Sequence, residues 1–369
     1  MNPALVVKLR PTGPWRPGPD SGARNRVDAV YHSDTLYAAV TAAMRQLGHF
    51  DEWLTATAAS AGAPAVRFSS CFPFLDEIGL IVPPRTVWPP AGAMASRIRW
   101  KSARFVPLGV VSALLEGQVL KDDHWCVDGV SECLLPAGRP GPFRTALRWN
   151  AAVDRWSGAT ERHATACLEF RPGAGLWAVA AFEDEEQRAR WSGPVRAALR
   201  LLADSGFGGE RARGWGRSEE PEFVEGTLPE MILPSAVARH EAANGRDEFP
   251  EPAAEANPEA QPPTPDPHPP TPAAEAGHWL LSLFAPGPDD TVDWSRGNYS
   301  TVARGGRVES SAGHGALKKQ LNMVCEGSVM VAGNGLRGAA PDVAPDGFPH
   351  PVYRAGFAVA VPIPRQVTP

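Results

Sequence analysis

A glycine- and arginine-rich stretch, GFGGERARGWGR at residues 206–217, has the composition of an anion-binding loop. Its five glycines can adopt positive φ angles and turn backbone amides toward an anion, and its three arginines offer planar forks suited to phosphate. Trp215 is expected either to stack on a base or to plug the core beneath the loop, and a flexible surface turn is the alternative that composition leaves open. The candidate contact residues are Gly206, Gly208, Gly209, Arg211, Arg213, Gly214, Trp215, Gly216 and Arg217.

This stretch matches neither of the common small-nucleotide motifs. A Walker loop ends in glycine, lysine and serine or threonine, and the stretch has no such ending. A dinucleotide fingerprint joins a strand to the following helix, whereas this stretch is predicted to follow a helix and to precede a strand. The phosphate-binding hypothesis therefore favours a polymer, in which successive phosphates meet successive arginines.

A second group of candidates opens the first predicted helix, within YHSDTL. Ser33 is predicted to cap the helix and Asp34 to place favourable charge in its first turn, with a metal ligand or an RNA contact as alternatives for Asp34. His32 is read either as a general base or as an anchor at the helix start; the anchor is preferred because the sequence signals no partner acid or base.

Three further basic residues have two interpretations each. Arg304 lies in ARGGR, where adjacent glycines favour a functional contact. Lys318 and Lys319 are interpreted either as phosphate ligands or as ordinary solvated charge.

Hydrophobic periodicity predicts the elements that must position these residues. A helix is predicted from Ser33 to Gly48 and another from Ser192, with Pro194 in its first turn, to Gly206. The order strand, helix, strand, strand, helix, strand indicates a ferredoxin-like unit with a loop-rich insertion. The strands of the N-terminal domain are predicted at 4–10, 65–74, 77–83, 165–171, 176–182 and 221–226.

An acidic, proline-rich segment divides the chain. Residues 234–277 contain eight acidic and two basic residues, a net charge of −6, and ten prolines lie within 250–272. This composition predicts a disordered linker. Because the whole chain carries −5, the remainder carries +1, which permits a local basic groove. The predicted domains are 1–233, which carries the insertion 84–165, and the β-rich 278–369.

Composition excludes several other classes of protein. The sequence contains no run of eighteen apolar residues, so no membrane span is expected. No secretory signal is evident, and we expect a cytoplasmic protein. The five cysteines are scattered without CxxC spacing, so neither a metal site nor a disulfide framework is expected.

Six segments resemble the RAMP superfamily of CRISPR proteins, and specifically the subunit that caps the crRNA 5′ end in type III-A (Csm) effectors. The first is the glycine-rich stretch itself, of the form GxGGxRxxGxGR. Glu210 departs from the pattern, because a basic residue is common there. The other similar segments are VYHSDTLYAAV (30–40), SSCFPFL (69–75), WNAAVDRWSGATE (149–161), and the C-terminal pair LKKQLNMVCEGSVM (317–330) and HPVYRAGFAVAVPIP (350–364).

The resemblance implies an α+β protein with two ferredoxin-like (RRM-like) RAMP domains and no enzymatic activity, metal or cofactor. Such a subunit holds the crRNA 5′ handle and docks on a large polymerase-like subunit and a backbone RAMP subunit, with no membrane association. It also implies an inserted hairpin near 144–165 that would offer Arg144, Arg148 and Arg155 to RNA, with Trp156 a candidate base contact. Open alternatives are a crRNA-processing endoribonuclease that uses His32, the equivalent subunit of another type III (Cmr-like) complex, and a scaffold that binds only protein.

Overall fold

The computed structural model describes residues 2–19, 22–60, 62–94, 96–234, 277–310 and 313–364. Nearly all of the predicted linker lies outside these residues, so the linker and the domain division stay predictions. Within the described residues, no helix is long and apolar enough to cross a membrane.

The larger sheet of the described chain is antiparallel throughout and has seven strands, in the order β11-β1-β10-β3-β4-β5 with β2 also paired to β10. Side chains alternate between its two faces, as the pleat requires. The predicted strand at 65–74 is interrupted at residues 69–71, which gives two strands. The seven strands are β1 (Asn2–Leu9), β2 (Val66–Phe68), β3 (Phe72–Leu75), β4 (Ile78–Ile81), β5 (Val106–Pro107), β10 (Ala174–Phe182) and β11 (Glu222–Leu228).

Three helices, α1 (Ser33–Gln46), α2 (Phe50–Ala56) and α4 (Glu185–Ser205), pack on one face of this sheet. The prediction for the first helix is confirmed, because Leu36, Val40 and Met44 recur at helical spacing and are buried.

The predicted start of the second helix, Ser192, is wrong. Asp184 caps helix α4 by accepting a hydrogen bond from the amide of Gln187 at 2.8 Å, and two glutamates follow it in the first turn. Pro194 therefore lies inside the helix, not in its first turn.

The other face of the larger sheet is covered by the C-terminal region and by the insertion. Phe72, Val179 and Ala181 of the sheet belong to one core with Trp279 and Val361. The Trp279 indole also donates to the Val82 carbonyl, at 3.2 Å. The sheet face opposite the helices is therefore not available to a ligand as large as RNA.

The C-terminal region, described from 277 to 310 and from 313 to 364, consists of strands without an α-helix. Four strands form an antiparallel sheet in the order β13-β18-β12-β19, and two strand pairs, β14-β17 and β15-β16, flank it. These strands are β12 (Gly277–Leu280), β13 (Val292–Asn298), β14 (Thr301–Arg304), β15 (Arg307–Ser310), β16 (Gly313–Leu317), β17 (Leu321–Val324), β18 (Val329–Ala332) and β19 (Ala360–Ile363).

The insertion is more regular than its loop-rich sequence predicts, and the hairpin expected near 144–165 is confirmed. It contains helix α3 (Leu108–Leu115), a short hairpin and a long one. The short hairpin pairs β6 (Trp125–Asp128) with β7 (Cys133–Pro136), and the long one pairs β8 (Phe143–Val153) with β9 (Thr160–Phe170).

Candidate nucleic-acid interface

The glycine-rich loop begins where helix α4 ends. Gly206, Gly208, Gly214 and Gly216 have φ angles of 82°, 93°, 79° and 80°. This left-handed region costs a residue with a Cβ about 1–2 kcal/mol, so the loop conformation accounts for four of its five glycines.

The loop amides bond within the protein, which corrects the expectation that they turn toward an anion. The amide of Gly209 donates to the Arg16 carbonyl at 2.9 Å, and that of Gly216 donates to the Pro14 carbonyl at 2.9 Å. The amide of Phe207 closes the loop on the Gly216 carbonyl at 3.3 Å. The glycines thus fold the loop tightly against residues 14–16.

Trp215 is 8% exposed and fills space beneath the loop, so the plug interpretation is the one that the structure bears out. Phe207 is also buried, and its ring meets that of Trp15 edge to face with centroids 4.6 Å apart. Neither Trp215 nor Phe207 can receive a base without an opening of the loop.

The three loop arginines are exposed. Arg213 forms an ion pair with Glu210 at 3.0 Å, which partly offsets its charge. Arg211 and Arg217 are therefore the stronger phosphate ligands of the loop.

Two loop glycines allow a matched test of this packing. Gly214 and Gly216 share the same backbone region, but a Cβ at 216 would lie 2.1 Å from the Phe207 carbonyl oxygen, whereas a Cβ at 214 meets nothing within 4 Å. Gly214→Ala is expected to cost about 1–2 kcal/mol of unfolding free energy, and Gly216→Ala at least about 3 kcal/mol. Urea denaturation measures both, and equal costs would contradict the close approach.

Arg16 holds the neighbouring segment 22–27 in place, a role that sequence reasoning missed. Its guanidinium donates to four backbone carbonyls, and the side chain is buried. The acceptors are the carbonyls of Ala23 at 2.9 Å, Arg24 at 3.0 Å, Arg26 at 3.0 Å and Ala166 at 2.7 Å. Ala166 belongs to the long hairpin, so one buried arginine links that hairpin to the segment on which the glycine-rich loop packs.

The long hairpin, β8–β9, projects beyond this junction. Its base is tied by a hydrogen bond from the Ala166 amide to the Arg24 carbonyl at 2.7 Å, whereas residues 151–162 are exposed. Trp156 at the turn is 99% exposed and Trp149 is 65% exposed, so both rings are accessible to a ligand.

Charge along the hairpin is mostly basic at exposed positions. Arg162 lies over the Trp149 ring, 5.6 Å from its centroid, and Arg148 and Arg144 both pair with Glu169. Asp154 accepts from the Trp156 amide at 3.0 Å and from the Ser157 hydroxyl at 2.5 Å, so it shapes the turn and forms no ion pair there.

Three basic segments thus meet around Arg16: the loop 22–27, the glycine-rich loop and the hairpin. Because phosphate contacts add along a strand, such a cluster is the arrangement that a polyanion requires. Its exposed arginines are Arg24, Arg26, Arg144, Arg148, Arg155, Arg162, Arg211, Arg213 and Arg217.

His32 has a carboxylate partner, contrary to the sequence interpretation. Its Nδ1 lies 2.8 Å from Glu326 Oε1, and the Ser70 hydroxyl donates to the same oxygen. Burial lowers the pKa of His32, but the charge and hydrogen bond of Glu326 outweigh burial, and the net shift is upward. Both side chains are at most 10% exposed, which excludes a strand of RNA from this pair as it stands.

Asp34 and Arg304 form a buried ion-pair cluster, and neither faces solvent as an RNA ligand. Arg304 Nε and Nη2 donate to the two Asp34 oxygens at 3.1 and 3.0 Å, and Arg354 Nη1 donates to Oδ2. The Asp34 carboxylate is 1% exposed. Burial raises the pKa of Asp34, but the two arginines outweigh it and lower the net value.

Ser33 does not cap helix α1. His32 occupies the cap position, and the Ser33 hydroxyl accepts from the Leu283 amide at 3.0 Å while its own amide donates to Ser70 Oγ at 2.9 Å. Residues 32–34 therefore fasten the first helix to the C-terminal region.

The two lysines differ in exposure. Lys319 is exposed and forms an ion pair with Asp346 at 2.8 Å, and Lys318 is half-buried. Both lie away from the basic cluster, on the segment between β16 and β17. In the described part of the chain, no group of three or more His, Cys, Asp or Glu side chains is arranged to hold a metal ion.

Comparison with known proteins places these features in a family context. Residues 274–363 match a family model described as the CRISPR Csm4 C-terminal domain. No curated protein matches the chain.

Solved structures match nearly the whole fold. A chain from a Csm3-Csm4 subcomplex in the type III-A CRISPR-Cas interference complex gives a TM-score of 0.57 at 15% identity, covering 98% of this chain and 99% of that chain. Chains from Csm1-Csm4 cassettes in complex with cA4 and with pppApA each give a TM-score of 0.53, at 15% and 16% identity. These two matches cover 98% and 99% of this chain, and 98% and 100% of the respective matched chains.

These matches confirm two expectations. The resemblance to the type III-A RAMP subunit holds in sequence over residues 274–363 and in fold over nearly the full length. The α+β class is also confirmed, as a sheet-rich fold with few helices.

Proposed function

We propose that the chain is a non-catalytic RNA-binding subunit of a type III-A CRISPR interference complex, and that it holds the 5′ handle of the crRNA. The observation that carries this proposal is the meeting of three basic segments around Arg16 in a Csm4-like fold. Segments that differ in sequence position share one surface, and its exposed positive charge is carried by arginine.

The mechanism follows from what is exposed and what is buried. Both domains are proposed to be ferredoxin-like; the strand order β11-β1-β10-β3, with helices α1 and α4 on one face, supports this for the N-terminal domain. Because the sheet face opposite the helices is covered, RNA must bind at the loops and the hairpin. Arg211 and Arg217 would contact phosphates, and Trp149 and Trp156 would stack on splayed bases.

The proposed partners are a large polymerase-like subunit and a backbone RAMP subunit. Structures that match this fold come from assemblies named for Csm1 and Csm4 and for Csm3 and Csm4. We propose that this chain bridges the corresponding two subunits in the cytoplasm. The equivalent subunit of another type III system would differ in partners and not in chemistry.

An endoribonuclease that uses His32 is the less favoured function. His32 is buried against Glu326, so RNA would reach it only after the N-terminal and C-terminal regions separate. Metal-independent cutting of repeat RNA by the purified chain would support the nuclease and overturn the non-catalytic proposal.

The salt dependence of crRNA binding tests the phosphate contacts. Replacing Arg211 and Arg217 with alanine is expected to weaken binding about tenfold or more, since a charged hydrogen bond contributes about 1.5–3 kcal/mol. The slope of log K against log salt should fall by about 1.4, or about 0.7 per lost contact with single-stranded RNA. The matched control, Arg45→Ala with Arg190→Ala, removes equal charge from exposed helical positions. A slope equal to that of the control would count against phosphate contact by the loop.

A further inference from the structure

The segment from Arg85 to Arg104 contains five basic residues and no acidic residue. All five are exposed, whereas the intervening Trp100 is 2% exposed and packs edge to face with Trp88 at a centroid distance of 5.8 Å. The segment is therefore anchored by its tryptophans and presents its charge outward. The basic residues are Arg85, Arg97, Arg99, Lys101 and Arg104.

An exposed aromatic pair lies on, and directly after, the edge strand β13 of the C-terminal sheet. The rings of Trp294 and Tyr299 meet at a centroid distance of 5.3 Å and an angle of 72°, and the residues are 40% and 39% exposed. Strand β13 is the outermost strand of its sheet. Two partly exposed rings at an edge are available for stacking by a ligand.

Hydrogen bonds bring these two features together. Arg85 Nη1 donates to Ser300 Oγ at 3.1 Å, and Asn298 Nδ2 donates to the Arg85 carbonyl at 3.3 Å, so Arg85 lies beside both neighbours of Tyr299. Arg104 belongs to the same exposed basic segment, where the Trp88 indole donates to the carbonyl of the preceding Ala103 at 3.2 Å. The charges of Arg104 and Arg85 both oppose the rise that burial causes in the pKa of Cys325. The Cys325 amide donates to the Ser300 carbonyl at 2.9 Å.

Acidic residues near this surface are few. Asp293 is 3.8 Å from Arg296, the Asp122 carboxylate accepts from the Arg97 amide at 3.2 Å, and the carbonyl of Glu132 accepts from the Arg104 amide. Three acids against the five bases of 85–104 leave the surface basic.

We propose that Arg85, Arg104, Trp294 and Tyr299 form a second surface for single-stranded RNA, independent of the glycine-rich loop. Bases would stack on the aromatic pair while the phosphates on either side meet the two arginines. Surfaces that bind single-stranded nucleic acid typically combine arginines with aromatic rings. Such rings stack on any base with little discrimination. RNA is favoured over a protein partner because the exposed charge is of one sign along twenty residues of chain.

The two surfaces use different parts of the fold. The glycine-rich loop bonds to residues 14–16 of the N-terminal region, whereas Arg85 bonds to Asn298 and Ser300 of the C-terminal region.

Ultraviolet cross-linking of the full chain to a twelve-nucleotide oligouridine, read by mass spectrometry, tests the proposal. Cross-links are expected on the peptide that contains Trp294 and Tyr299. Anisotropy with the same probe should show binding at least fivefold weaker for Trp294→Ala with Tyr299→Ala, at an unchanged salt slope. If the aromatic variant does not fold, the double variant Arg85→Glu, Arg104→Glu provides the test. It should lower the slope of log K against log salt by at least about 1.4.

Two results would overturn the second surface: no cross-link on residues 292–300, or binding by both variants equal to that of the Arg45→Ala, Arg190→Ala control. The same variants distinguish failure of the proposed handle site from failure of the second surface. If the handle site fails, the Arg211→Ala, Arg217→Ala variant would bind crRNA normally while the variants at Arg85, Arg104, Trp294 and Tyr299 would still lose oligouridine.

Discussion

Replacing Asp34 with alanine is expected to lower the free energy of unfolding by about 3–5 kcal/mol, because it leaves buried arginine charge without its carboxylate. Arg304 and Arg354 both pair with Asp34, and their side chains are 5% and 9% exposed. Neither guanidinium can recover its hydration without moving the C-terminal region away from helix α1. Urea denaturation followed by tryptophan fluorescence measures the loss.

The control for this change is Asp346→Ala. Asp346 is 94% exposed and pairs with Lys319 at 2.8 Å, so its removal should cost at most about 1 kcal/mol. A loss for Asp34→Ala as small as that of the control would show that the two buried arginines find other partners and that the cluster does not hold the regions together.

The same cluster predicts the direction of acid destabilisation. The pKa values of Asp34 and Glu326 are both lowered, because cationic partners outweigh the burial that raises them. Each carboxylate therefore contributes stability that is present above its ordinary pKa and is lost as pH falls through the lowered value. His32 acts in the opposite sense, since its raised pKa gives stability that is lost as pH rises.

The sequence predicts the sheet and its helices because their signals are local. Leu36, Val40 and Met44 repeat at helical spacing, and the strand at residues 174–182 is an apolar run. The insertion gives no such signal: the outer half of β8–β9 is exposed on both faces, so no alternation of apolar and polar residues marks it. Pairing between its strands defines the hairpin, and pairing is not visible in either strand alone.

The partners of the polar candidates are not predicted by the sequence, for a related reason. His32 meets Glu326 at a separation of 294 residues, and Asp34 meets Arg304 and Arg354 at separations of 270 and 320. A residue type and its neighbours do not reveal a partner so distant in the chain. The glycine-rich loop was located correctly because its left-handed backbone requires glycine locally, although the contact that shapes it comes from residues 14–16.

Replacing Arg16 with methionine is the second change for which we expect a large effect, about 3 kcal/mol in unfolding free energy. The substitution keeps most of the apolar stem but removes the donors to four carbonyls, one of them the buried carbonyl of Ala166. Hydrogen bonds to charged groups contribute about 1.5–3 kcal/mol each, and solvent can replace those to the carbonyls that are only partly buried. Arg10→Met is the matched control, because Arg10 has one exposed bond, to Glu222 at 2.8 Å.

Arg16→Met should reduce the free energy of crRNA binding more than it reduces the free energy of unfolding, because Arg16 joins all three basic segments. Without the Arg16 guanidinium, residues 22–27 and the hairpin lose the side chain that binds both of them. The Arg16 carbonyl, which accepts from the Gly209 amide, is then no longer held in position. Hydrogen exchange in 206–217 should then accelerate, and the affinity for crRNA should fall although no exposed arginine has been removed. Normal exchange in that loop, with crRNA affinity equal to that of Arg10→Met, would mean that the three segments hold their positions independently and that the basic cluster is not organised by Arg16.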